Sequence, residues 1–163
     1  MKRILIDEAL INTSPHPVSL VCAQAPDGIT NLTAVSWWTY LEKEPPLIGF
    51  LLAKSSYTGE LVAKSGKAVL SIPGEAISTQ THQCGRVCGR DVNKAERFGI
   101  ALMREGAFQF PVHSRFAFIC TLTQQVDVGG SVFYICKMDE MFYNENERQT
   151  YAWGGSQKVA PLP

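Results

Sequence analysis

The runs FAFICTLTQQVDV (116–128) and SVFYICKMDEMFY (131–143), separated only by Gly129 and Gly130, constrain this chain most. Two glycines between strand-like runs read as a two-residue hairpin turn. In the first run Phe116, Phe118, Cys120 and Leu122 alternate with Ala117, Ile119, Thr121 and Thr123, the period of a half-buried strand. The spacing therefore predicts a long antiparallel hairpin.

Upstream, PVSLVCAQ (17–24) reads as a strand that ends near Asp27-Gly28, a strong hairpin signal. A second strand is expected through LTAVSWWTYL (32–41), stopped by Pro45 and Pro46. PLIGFLLA (46–53) has the nearly continuous apolar character of a strand covered on both faces, and AVLSIP (68–73) reads as another strand.

Helical signals are short. YTGELVAKSGK (57–67) predicts about two turns with Leu61 and Val62 inward and Gly66 at a left-handed end. EAISTQTHQ (75–83) suggests a second short helix, and VNKAERF (92–98) a helical piece in an otherwise loop-like segment. Six or more strands with few, short helices argue for a mainly β, barrel-like fold rather than a doubly wound parallel sheet. Residues 1–163 are expected to form a single domain, with an irregular C-terminal tail from about residue 144 that reaches over a neighbour.

A formal net charge of zero supplies no long-range positive field for nucleic acid or an anionic membrane, so neither is an expected partner. The start, MKRILIDEALIN, is broken by Asp7 and Glu8 too early for a signal-peptide core, and no run approaches the apolar length of a membrane span. The expectation is a soluble, cytoplasmic protein.

The five cysteines make an odd number, which argues against a disulfide framework. Cys22, Cys120 and Cys136 lie in strand-like runs and read as small buried hydrophobes. Cys84 and Cys88 sit among arginines, where a positive charge would lower a thiol pKa and suit a redox pair. Only His82 lies near enough to join them, so no metal site is expected.

Lys54, Ser55, Ser56, Tyr57 and Thr58 crowd the start of the 57–67 helix. Unpaired amides and the positive dipole end make such a place fit for a phosphate, with hydroxyl and ammonium donors added. Simple capping by Ser56 or Thr58 accounts for the same residues. Glu60 also suits the dipole, and a phosphate there requires its carboxylate to point outward. Just before Trp37 and Trp38, the strand thins to Thr33, Ala34 and Ser36. A thinned strand lets a flat ring lie against its backbone.

The order of these segments, DG--N-TAVSWW, EPPLIGFLLAKSSYTGELVAKSG, AVLSIP and CGRVCGRDVNKAERFGI, resembles the flavin reductase-like family, in particular its flavoredoxin branch. The resemblance implies an FMN-binding split β-barrel that works as a homodimer. It places Thr33, Ala34, Val35, Ser36 and Trp37 along the isoalloxazine ring, Lys54, Ser55, Ser56, Tyr57 and Thr58 around the phosphate and ribityl chain, and counts Asn31 among the cofactor-binding residues. Cys88, Gly89 and Lys94 fall on a further cofactor loop, with Cys88 in place of the usual serine and Asn93 in place of the usual aspartate. Leu61 stands where an asparagine is common.

The function this implies is a reductase moving electrons from NADH or NADPH through FMN to free flavin or a protein acceptor. Its alternatives are a flavoredoxin-like electron carrier that does not use NAD(P)H, and a cysteine-based redox-sensing or ligand-binding barrel. No GxGxxG follows a strand, so any nicotinamide would have to stack on the flavin. No side chain is assigned as catalytic; among His16, His82 and His113, His82 adjoins the cofactor loop.

Overall fold

A computed structural model describes residues 1–163. Helix α1 (Ile6–Asn12) opens the chain, followed by the two-residue strand β1 (His16–Pro17) and then β2 (Ser19–Gln24). Strands β3 (Thr30–Val35), β4 (Trp38–Lys43) and β5 (Pro46–Ala53) lead into helix α2 (Tyr57–Ser65). After β6 (Lys67–Pro73), a 3-10 turn (Glu75–Ile77) leads into α3 (Ser78–Cys84), and α4 (Lys94–Phe98) follows. The small hairpin β7 (Leu102–Glu105) and β8 (Phe108–Pro111) precedes the long β9 (Ser114–Val128) and β10 (Ser131–Tyr143). Strands β11 (Thr150–Trp153) and β12 (Lys158–Pro161) close the chain.

Seven strands form one antiparallel sheet in the order β3-β2-β6-β9-β10-β5-β4. Sequence-adjacent β3 and β4 therefore occupy its two opposite edges. The predicted single strand at 32–41 is in fact these two, broken at Ser36 and Trp37, because β3 pairs with β2 while β4 pairs with β5. The link spans the split of the barrel, where the Leu51 amide donates to the Trp37 carbonyl at 2.9 Å.

Alternation along each strand sorts side chains into two cores. Val21, Phe50, Leu70, Phe118 and Cys136 fill the barrel interior, together with Leu61 and Val62 from α2, as the helix pattern predicts. Leu20, Cys22, Val69, Ala117 and Ile119 point outward, where Ile77, Cys84 and Phe110 cover them. The centre of β9 is thus covered on both faces rather than half-buried, since α3 and the β7–β8 hairpin supply a second layer.

The β9–β10 hairpin turns at Gly129-Gly130 and pairs Ser131 with Val128, as expected. Gly28 turns between β2 and β3 at φ +84°, also as expected. The tail is a correction: from residue 150 it is regular, with β11 between β1 and β12 in a three-stranded sheet. It folds back on its own N-terminal strand because Val18, Ala152 and Val159 bury one another there. No helix is long and apolar enough to cross a membrane.

Candidate cofactor cleft

A tight turn delivers the chain from β5 to α2, closed by the Ser56 amide donating to the Ala53 carbonyl at 2.9 Å. The Ser56 hydroxyl accepts from the Gly59 amide at 3.3 Å and so caps the helix. The amides of Tyr57 and Thr58, in the first turn, have no carbonyl one helical turn earlier to accept from them. Ser55 is exposed, Ser56 and Tyr57 are half-buried, and all three stand at this mouth.

Two of the five clustered residues point elsewhere. The Lys54 ammonium lies 3.4 Å from Asp127 near the hairpin tip, half-exposed. Thr58 is fully buried; its hydroxyl accepts from the Asn31 side-chain amide at 2.7 Å and shares a hydrogen bond with Thr33. The cluster thus divides into a surface group and an internal brace joining α2 to β3. Glu60 points outward and is ion-paired with Arg90, whose guanidinium also donates to the Ser55 carbonyl at 3.4 Å and lies 4.9 Å over the Tyr57 ring.

Beside this mouth, residues 33–37 form one wall of an open cleft of about 300 Å³, which Leu51, Ser56 and Ser131 also line. Trp37 is 53% exposed. Trp38 turns inward against the barrel core and meets Tyr40 edge-on, with centroids 5.5 Å apart. The thinned strand and the helix mouth therefore belong to one continuous hollow.

The loop after α3 packs beside the helix mouth, where Gly89 to Lys94 line an adjoining hollow with Asn31 and Tyr57. Gly89 lies so close to Asn31 that a Cβ there would stand 1.9 Å from Oδ1. Asn31 is buried, and its Oδ1 has no hydrogen-bond partner. Lys94 is buried as well, its ammonium donating to the carbonyls of Leu32 and Cys84, each at 2.8 Å. Burial pulls its pKa down, opposed by the neighbouring Cys84 and Cys88 thiols. Asn93 caps α4 by accepting from the Glu96 amide at 3.3 Å, and Cys88 is exposed.

Cys84 behaves contrary to expectation. It is buried, and desolvation pushes its thiol up to about 11, outweighing the lowering by Lys94. All five cysteines are free, and Cys22, Cys120 and Cys136 are buried. No group of three or more His, Cys, Asp or Glu side chains gathers as a metal site.

Of the histidines, His16 meets the Thr13 hydroxyl at 3.1 Å and His113 meets Glu147 at 2.6 Å. Only His82 faces the 33–37 region, paired with Arg86. Sequence reasoning passed over Arg86 and Arg90. The signal available was two arginines in a glycine-containing segment with few acidic residues.

An antiparallel sheet whose edges are joined across a split, with a cleft between a thinned strand and a helix mouth, defines a split β-barrel of the flavin-binding type. The chain belongs to the flavin reductase like domain family, which matches residues 11–160. It is similar to a flavoredoxin from Methanosarcina acetivorans, with a TM-score of 0.85, 19% identity, and coverage of 100% of this chain and 92% of that one. An FMN-binding protein from Thermus thermophilus aligns with a TM-score of 0.83 and 16% identity over 99% of this chain and 94% of that one. Protein YddH of Escherichia coli (strain K12) is 37% identical over 82 residues, half of this chain. That match spans 43% of YddH, under half its length.

Proposed function

We propose that the chain holds FMN in the 33–37 cleft and carries electrons between redox partners in the manner of a flavoredoxin. The observation that carries this reading is the continuity of the thinned β3 wall with Ser56 at the mouth of α2. The residues present fit the cofactor: free first-turn amides, the Ser55 and Ser56 hydroxyls and Arg90 suit a phosphate. The unpartnered Asn31 Oδ1 is a free acceptor on the adjoining hollow that Tyr57 and Arg90 also line. Flavoredoxins and FMN-binding proteins share this fold, which supports the same assignment.

Bound FMN supplies one- and two-electron transfer through its isoalloxazine ring. The chain's own residues orient and shield it. Thr33 to Trp37 present backbone groups and small side chains to a flat ring, and the internal Asn31–Thr58–Thr33 brace fixes that strand against α2. Lys94 fixes the same strand to the end of α3, so it acts as a positioning residue for the cleft. Gly89, by its lack of a side chain, lets the loop after α3 close against Asn31, while Lys54 is held away by Asp127.

The cleft is open on one side, next to exposed Trp37. A second copy of the chain covering that side is part of the proposal, with sedimentation velocity as its test. A cysteine switch receives no support, because the raised pKa of Cys84 disfavours a thiolate.

NADH or NADPH as donor is the second reading, favoured by membership of a family of flavin reductase like domains. One experiment separates the two: FMN-loaded, desalted protein is mixed anaerobically with NADH, NADPH or dithionite. Bleaching by dithionite alone supports the carrier. Bleaching by a nicotinamide establishes the reductase, and a colourless desalted protein with an unshifted melting temperature overturns both.

A further inference from the structure

A second hollow, of about 360 Å³, backs onto the same stretch of β3. Ala34, Val35 and Ser36 line both hollows. Its far wall is the apolar cluster of Val18, Ala152 and Val159, and its mouth carries His82 and Arg86. No acidic side chain lines it.

Arg86 differs from Arg90 and Arg148, which are ion-paired with Glu60 and Glu75. It has no carboxylate partner; instead its Nε and Nη2 approach His82 Nε2 at 3.3 and 3.2 Å. Donation to that nitrogen requires a neutral imidazole with its proton on Nδ1. The guanidinium is thereby steered while at least three of its five N–H groups remain free. It lies just beyond the C-terminus of α3, where the helix dipole favours a cation. Ser156, a non-glycine residue held at φ +74° in the β11–β12 turn, lines the same hollow. Such a conformation is uncommon and marks a place where surrounding structure overrides local preference.

We infer that this hollow binds a small organic carboxylate with a flat or apolar body, its anionic end on Arg86. The planar fork of one guanidinium matches one carboxylate. Half of the lining is hydrophobic, which suits an apolar body and leaves a small, fully polar anion poorly matched. The volume lies at the low end for ligand pockets, enough for a single-ring acid and too little for a dinucleotide. The placement of this ligand beside the cofactor ring rests on the FMN reading; its binding to Arg86 does not.

The test is calorimetric titration of benzoate and of its neutral analogue benzamide into FMN-loaded and FMN-free protein. Wild type, Arg86→Gln and Arg86→Lys are compared, and FMN affinity is measured separately by fluorescence quenching. The expected result is a preference for benzoate of about tenfold or more. Arg86→Gln abolishes that preference without changing FMN affinity, while Arg86→Lys keeps part of it. In the loaded protein, benzoate shifts the visible flavin spectrum. Equal binding of the two compounds, no binding of either, an intact preference in Arg86→Gln, or displacement of benzoate by a lower concentration of inorganic phosphate overturns the inference. A protein that fails to hold FMN yet still prefers benzoate overturns only the cofactor reading.

Discussion

The buried ammonium of Lys94 donates to the carbonyl of Leu32 at 2.8 Å, tying α4 to the edge strand that forms the cleft wall. The same nitrogen donates to the Cys84 carbonyl at 2.8 Å, so one charge holds β3, α3 and α4 in register. Two carbonyls and one desolvated cation form a unit whose loss is felt at the site.

Lys94→Met keeps the aliphatic stem and removes the donor. Two buried carbonyls then lose a partner, at about 1–3 kcal/mol each. The melting temperature is expected to fall by several degrees, roughly 2–4 °C for each kcal/mol in a chain of this size. FMN retention after desalting should fall as well, because the 85–93 loop loses its anchor to β3. A stable variant that keeps FMN as the wild type does would show that this anchor does not position the cleft.

Gly89 and Gly130 offer a paired comparison. A Cβ on Gly89 meets Asn31 Oδ1 at 1.9 Å, whereas one on Gly130 meets nothing within 4 Å. Asn31 is held by its bond to Thr58 and cannot swing away freely. Gly89→Ala is therefore expected to cost about 1–3 kcal/mol through displaced backbone. Gly130→Ala should leave the thermal midpoint within about a degree of wild type. Differential scanning calorimetry on both variants decides, and equal midpoints would mean that the loop yields without resistance.

The Arg90–Glu60 ion pair has both side chains substantially exposed, 46% and 60%, so solvent screening leaves it little weight in folding. Glu60→Gln should barely change stability. It removes a negative charge from the first turn of α2 and frees Arg90, so FMN affinity should rise by roughly three- to tenfold. Arg90→Gln should lower that affinity by a similar factor. Fluorescence-quenching titrations of both variants test this, and an effect of the same sign in the two would place the phosphate elsewhere.

Much of this was legible from the chain. Strand-length apolar runs, Gly28, Gly66 and Gly129-Gly130 mark most of the sheet, and the spaced segments from DG to AERF point to the family. The break at Ser36 and Trp37 was hidden, because both halves carry strand-like residues and only long-range pairing with β2 and β5 assigns them to opposite edges. The roles within the Lys54–Thr58 cluster were hidden for a related reason. Local sequence gives hydroxyls and a charge near a helix start, while the direction of Thr58 depends on Asn31, 27 positions earlier. The β7–β8 hairpin escaped notice because its four-residue strands are too short to show a period.

Burial of the cysteines gives the fold an alkaline limit. An unfolded thiol ionises near 9.0, whereas burial holds Cys84 protonated up to about 11 and Cys136 up to about 12, with Cys22 and Cys120 pushed further in the same direction. A raised folded-state pKa means that the unfolded chain releases its proton first. The stabilising contribution is whole below pH 9.0 and is lost as pH climbs toward the folded values. Each thiol should then cost about 1.4 kcal/mol per pH unit within its own window. Tyr40 and Tyr134, also raised by burial, act with the same sign from about pH 10, whereas Lys94, lowered by burial, opposes them. Urea unfolding between pH 7 and 10.5 should show a plateau followed by a decline, and Cys84→Ala should make that decline shallower whatever its effect on stability at neutral pH. Parallel slopes in wild type and variant would mean that Cys84 ionises as readily inside the protein as outside it.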